Sequence, residues 1–271
     1  MTTGRDLSSM LCREWDTLET LCASLSEDQW RAATDCPGWN VKDLISHLVG
    51  VECMIAGHAA PEHEPPPKAH VKNPLGERNE IEVDFRRGHP PEDVLEEFRV
   101  IAAERGRGFE AMSDEDFDQP SWTPVGQGTV GDFVSTRIVD TWVHEQDIRR
   151  AIGVPGHLTG PIPDHVYARL ILGLPKVVGK NAAAPDGSVV TFHVDGVTNG
   201  DVVIGVTGGR AHALESALGG ADVRLVMNLQ TFVCLTCGRW PPERTLRTGL
   251  VEIEGDKDLG EKIVGALNIL F

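Results

Sequence analysis

In four separate stretches of its N-terminal half, this chain repeats apolar side chains at intervals of three and four residues, and turn chemistry or a polar connection separates each stretch from the next. That period gives a helix one apolar stripe and a wet remainder, so four such helices must pack stripe against stripe. Leu7, Leu11, Trp15, Leu18, Cys22 and Leu25 define the first, which is read to end near Trp30. Pro37 and Gly38 then break regular structure, and Asn40 caps a second helix from Val41 to Gly57, with Leu44, Ile45, Leu48, Val51 and Ile55 as its stripe and Asp43 in its first turn. Pro91 opens a third, buried through Val94, Leu95, Phe98, Ile101 and Ala102. A fourth runs from a Thr129 cap to a Gly153 stop and carries Phe133, Ile138 and Trp142. The segment 61–91 is rich in Pro, Glu and His without a sustained period and reads as a long loop, either a lid or a solvated connection; 113–128 also reads as loop.

The texture then changes. Beyond the linker-like Gly153–Pro163 segment and a helix from Asp164 to Leu174, short alternating runs at Val189–Val194, Asp201–Val206 and Ala221–Asn228 read as strands, with turns at Asp195-Gly196 and Gly208-Gly209. Leu229–Gly238 reads as a helix, Leu250–Gly255 as a last strand and the segment from Asp256 as a closing helix. The expected class is α+β, with a helical bundle over 1–157 and an α+β domain over 158–271.

Asp140 and His144 lie four residues apart in the fourth helix and project from one face. With His47, at the margin of the second helix's stripe, they form a candidate three-ligand site with an open position, as catalytic divalent-metal sites have. The same histidines would serve equally as hydrogen-bonded residues at a core margin. Asp43 reads as an N-terminal charge with a supporting role possible, and Glu145 with Arg149 as a solvated i, i+4 pair. His58, eleven residues past His47, is roughly 16 Å along the axis and too distant to share an ion.

Acidic residues number 41 against 25 basic, a formal charge of −16, and no Lys/Arg cluster overrides it, which argues against nucleic acid as a partner. No run of about 18 apolar residues and no basic-then-apolar leader is present, so a cytoplasmic protein without membrane partners is expected. Six cysteines without a regular framework suit reduced thiols; Cys234 and Cys237 form a lone C-x-x-C, read as buried helix cysteines.

Three segments carry a family resemblance: LSEDQWRAATDCPGWNVKDLISHLVGVE, DTWVHEQDIRRAIG, and ADVRLVMNLQTFVCLTCGR followed by LVEIEGDKDLGEKIVGAL. Together they resemble the mycothiol-dependent maleylpyruvate isomerase family. The resemblance implies a DinB-like four-helix bundle followed by a sterol-carrier-like α+β domain. It also implies a zinc or other divalent ion on His47 and His144, with Asp140 where the family commonly has Glu. Mycothiol would be the cosubstrate, activated as thiolate for attack on a small electrophile, with isomerisation or S-transfer as the outcome. An Arg of the C-terminal domain would anchor anionic substrates, and Arg239 is the match, with Arg244 and Arg247 as alternatives. Two other classes stay open: a sterol-carrier-like lipid or small-molecule binding module with a vestigial metal site, and a structural or regulatory DinB-like protein without turnover.

Overall fold

Thr3, Asn40 and Thr129 each accept a hydrogen bond from the backbone three residues on, and the acidic residue at that position bonds back to the cap, so three of the long helices start at capping boxes. These are α1 (Gly4–Ala23), α3 (Val41–Ile55) and α7 (Val130–Ile152) in a computed structural model that describes residues 2–124, 126–198, 200–217 and 219–269. The fourth long helix, α5 (Pro91–Ala111), uses the fixed φ of Pro91 in place of a side-chain cap. Gly153, in the left-handed region at φ 69°, closes α7.

The chain divides into two compact units, Met1–Gly156 and His157–Phe271. In the first, α1 packs on α5 and α7, and α3 packs on the same two helices, closing a ring of four. Leu11, Leu18, Leu44, Ile45, Leu48, Phe98, Ile101, Ile138 and Trp142 fill its interior. One-turn helices α2 (Glu27–Trp30) and α6 (Asp114–Phe117) sit in the connections. The first apolar stripe therefore stops at Ala23, and Trp30 belongs to a separate turn capped by Ser26.

Two expected loops are structured. Segment 61–91 contains α4 (Pro74–Arg86), capped by Asn73, and its buried residues are Glu80, Glu82, Val83 and Arg86. A buried face that is mostly charged leaves no apolar period to read. Gly50 makes room for it: a Cβ there would lie 2.5 Å from Cβ of Glu82, so α3 and α4 approach along a groove that only glycine leaves open. Segment 113–128 holds α6 and an antiparallel hairpin, β1 (Pro120–Thr123) with β2 (Gly126–Thr129).

In the second unit, α8 (Pro161–Leu170) leads through tight turns and α9 (Leu174–Lys176) into a five-stranded sheet. Its strands are β3 (Val189–Asp195), β4 (Asp201–Thr207), β5 (Arg210–Leu214), β6 (Val223–Asn228) and β7 (Glu252–Gly255), in spatial order β5-β4-β3-β6-β7. All neighbours are antiparallel except β3 with β6. Helices α10 (Leu229–Thr236), α11 (Pro242–Arg247) and α12 (Lys257–Gly265) complete it. Val190, Phe192, Leu225, Phe232 and Ile263 form its core. β5 escapes the sequence reading because RAHAL exposes most of its side chains and so carries no apolar alternation. Cys234 and Cys237 are buried and form no disulfide, as the C-x-x-C reading has them. Among the described residues no helix is long and apolar enough to cross a membrane.

Candidate metal centre

The capping box at Asn40 sets the phase of α3 so that His47 points toward α7, where Asp140 and His144 stand one turn apart. The three sequence-predicted ligands come together: donor atoms of His47, Asp140 and His144 all lie within 4.8 Å of one another. His47 Nε2 is 3.4 Å from Asp140 Oδ2, and His144 Nε2 is 3.6 Å from Asp140 Oδ1. The two imidazoles meet edge to face at 5.0 Å between centroids. Both histidines are buried, whereas the Asp140 side chain keeps 33% exposure, which makes the carboxylate the solvent-facing member.

Burial outweighs the pull of Asp140 and lowers the pKa of His47, which favours the neutral ring a metal requires. Burial opposes ionisation of Asp140 as well, but the Arg137 guanidinium beside it, with His47 and His144, holds its carboxyl well below the usual range. Arg137 precedes Asp140 by one turn of α7. It is buried, donates to Asp140 Oδ2 through Nη1 and to Glu52 Oε1 through Nε at 2.8 Å, and Glu52 also accepts from Arg105 at 3.0 Å. Glu145 likewise is fully buried, accepting from Arg149 at 2.6 Å, which corrects its reading as a solvated pair.

Four further residues at the site were not singled out by spacing. Asp147 Oδ2 lies 3.1 Å from His144 Nδ1 and 3.2 Å from Cys36 Sγ. Trp39 lays its ring 5.2 Å from that of His47 and 6.4 Å from that of His144, and its indole N–H donates to Glu80 Oε2 at 3.0 Å. His70 and Arg87 hold the same Glu80 at 2.9 and 2.6 Å, so α4 is tied to the aromatic wall of the site. Asp147 was legible as the i+3 neighbour of His144; Trp39 and Glu80 were not, because their relation needs the α3–α4 packing. Asp43 serves the cap and faces Arg87 at 3.4 Å, and His58 pairs with Glu104 at 3.0 Å, away from the trio.

Arg239, in the second unit, is half-buried after Gly238 and donates through Nη1 to Cys237 O at 2.7 Å. Arg244 stacks on Trp240 at 4.6 Å, and Arg247 is exposed.

Comparison with known proteins agrees with this architecture. The chain matches the SCP-2 sterol transfer family over residues 173–268. Two records of an uncharacterized protein of Mycobacterium tuberculosis, from different strains, are 27% identical over 146 residues, covering 52% of this chain and 54% of that protein. The chain thus spans about half the length of these relatives in the match. A crystal structure of a mycothiol-dependent maleylpyruvate isomerase superposes with TM-score 0.58 at 16% identity, over 94% of this chain and 96% of that one. A histidine-to-alanine mutant of such an isomerase gives 0.59 at 15%, with the same coverage. At these identities the likeness concerns the fold. The N-terminal domain of mycothiol maleylpyruvate isomerase matches residues 11–149, more than half of the 271, and that span holds all three residues of the trio, so the chain belongs to the mycothiol-dependent maleylpyruvate isomerase family.

Proposed function

We propose that this protein is a metal-dependent enzyme that uses mycothiol as cosubstrate, with His47, Asp140 and His144 holding one divalent cation, and that it isomerises a small unsaturated electrophile or transfers the thiol onto one. The observation that carries the reading is the convergence of two imidazole nitrogens and a carboxylate oxygen from two helices. That donor set fits zinc with a position left open. A divalent cation bound there supplies Lewis acidity, lowering the pKa of a thiol so that it serves as thiolate at neutral pH.

The chain's own residues supply the rest. Burial keeps His47 in the neutral form, and Arg137 keeps Asp140 ionised while offsetting its charge. Trp39 walls one side with an aromatic face suited to a flat, unsaturated carbon skeleton. Three of the six thiols are poor candidates for the nucleophile: burial raises the pKa of Cys12 and Cys53 and pushes Cys22 up to about 12. This supports an external low-molecular-weight thiol. Arg239 is the proposed charge partner of an anionic substrate.

The test measures metal content and turnover together. Purified protein should carry about one zinc or other divalent ion per chain, and His47→Ala and His144→Ala should lose most of it. Consumption of maleylpyruvate or another electrophile should require mycothiol or a close mimic and should survive Cys36→Ser and Cys53→Ser. Equal metal content in all three proteins, or turnover that runs without thiol and is abolished by either Cys→Ser change, would overturn the reading.

A further inference from the structure

Helix α7 carries a second acidic residue on the face of Asp140 and His144: Asp140, His144 and Asp147 follow at i, i+4 and i+7. His144 therefore stands between two carboxylates, one at each ring nitrogen. Nδ1 lies 3.1 Å from Asp147 Oδ2, within hydrogen-bond range, whereas Nε2 lies 3.6 Å from Asp140 Oδ1, beyond it. Cys36, His144 and Asp147 also bring donor atoms within 4.8 Å of one another, so His144 joins two groupings, one through each nitrogen. A neutral imidazole offers only one lone pair, and so it can serve one of them.

Access separates the two. Asp147 is fully buried, Cys36 is 9% exposed, and Asp147 Oδ1 is occupied by Arg150 Nη2, whose Nε is in turn held by Asp35 at 2.7 Å. Asp140 also meets a guanidinium, but one third of its side chain remains open to solvent, which gives a cation a way in. The other histidine has no comparable support: Nδ1 of His47 is buried and finds no hydrogen-bond partner among the described residues. Ligating histidines ordinarily have such a partner, which fixes the tautomer and raises the basicity of the ligating nitrogen.

We propose that Asp147 is the positioning residue of this site: its carboxylate holds a proton on Nδ1 of His144 and so presents the Nε2 lone pair toward Asp140 and His47, making His144 the anchoring ligand. The proposal rests on the metal reading above and adds to it which nitrogen binds, and why. Arg150 and Asp35 extend the support, so that the chain Asp35, Arg150, Asp147, His144 fixes the ring from its Nδ1 side.

Nitrogen NMR of histidine-labelled protein tests it without any variant. The metal-free protein should show a proton on Nδ1 of His144, and protein loaded with an NMR-active cadmium isotope should show cadmium coupled to its Nε2. No proton on Nδ1, or coupling through Nδ1, would overturn the proposal, the latter by placing the ion with Asp147 and Cys36. In chelator competition, Asp147→Asn should weaken zinc and cadmium binding about 10- to 100-fold, while Cys36→Ser should leave it within a few-fold. Unchanged affinity in a folded Asp147→Asn protein would also overturn it. Should wild type bind neither ion, the metal reading fails, and the metal-free spectrum still decides the role of Asp147. Should Asp147→Asn not fold, the two wild-type spectra decide.

Discussion

Arg137 on α7 and Glu52 on α3 form an ion pair of 2.8 Å in which neither side chain meets solvent appreciably, at 6% and 0% exposure. The pair sits directly beneath Asp140, so the charge balance of the candidate metal centre and the docking of α3 on α7 depend on the same guanidinium. Removing Arg137 leaves the fully buried Glu52 with Arg105 alone and takes the guanidinium from Asp140. Arg137→Met should cost about 3 to 5 kcal/mol in chemical denaturation. Adding Glu52→Gln should recover part of this loss, giving a coupling of at least about 1 kcal/mol in the double-mutant cycle. Additive losses would mean that the two side chains are energetically independent.

Gly50 reverses an ordinary rule. Replacing a mid-helix glycine by alanine normally stabilises by about 1 kcal/mol. Here the new Cβ would meet Glu82 at 2.5 Å, and the contact is with the root of that side chain, which cannot swing away. Overpacking costs about 1 to 3 kcal/mol, so Gly50→Ala should lower stability or at best leave it unchanged. A rise in Tm would show that α4 does not hold its close approach to α3.

Glu14 sets a pH dependence. Burial, and then the neighbouring Glu145 carboxylate, push its carboxyl well above the ordinary 4.5. The folded protein therefore keeps a proton that the unfolded chain releases. The associated stability is fully present below 4.5 and is lost as pH rises toward the folded value. Glu14→Gln mimics the protonated form. The stability of wild type relative to this variant should fall by about 1.4 kcal/mol per pH unit across that window, measured by denaturation at a series of pH values. Parallel curves would show that Glu14 takes up no proton on folding.

Arg239 is read as the partner of an anionic substrate. Arg239→Ala should weaken charged electrophiles by about 2 to 3 kcal/mol in kcat/KM and change neutral ones little, the scale of a hydrogen bond to a charged group. Equal losses for both would make its contact with the Cys237 carbonyl structural.

The sequence by itself determined whatever depends on local chemistry. Caps at Asn40 and Thr129, the Pro91 start and the Gly153 stop each act within one turn, and the apolar stripes of α1, α3, α5 and α7 follow from a period that any reader of the chain can count. The spacing of Asp140 and His144 guaranteed a shared face, and His47, at the margin of the α3 stripe, offered itself as their companion once the two helices pack side by side. Tertiary structure decided the rest, because burial of a charge is not encoded locally. Glu52, Glu80, Glu82, Glu145 and Asp147 look like solvated acids in the sequence, yet each is buried: Arg137 and Trp39 satisfy the first two from other elements, whereas Glu82, Glu145 and Asp147 are held by Arg86, Arg149 and His144 about one turn away, pairs whose burial only the packing decides. Helix α4 was hidden for the same reason: its inward face is held by ion pairs rather than by apolar burial, so hydropathy carried no trace of it.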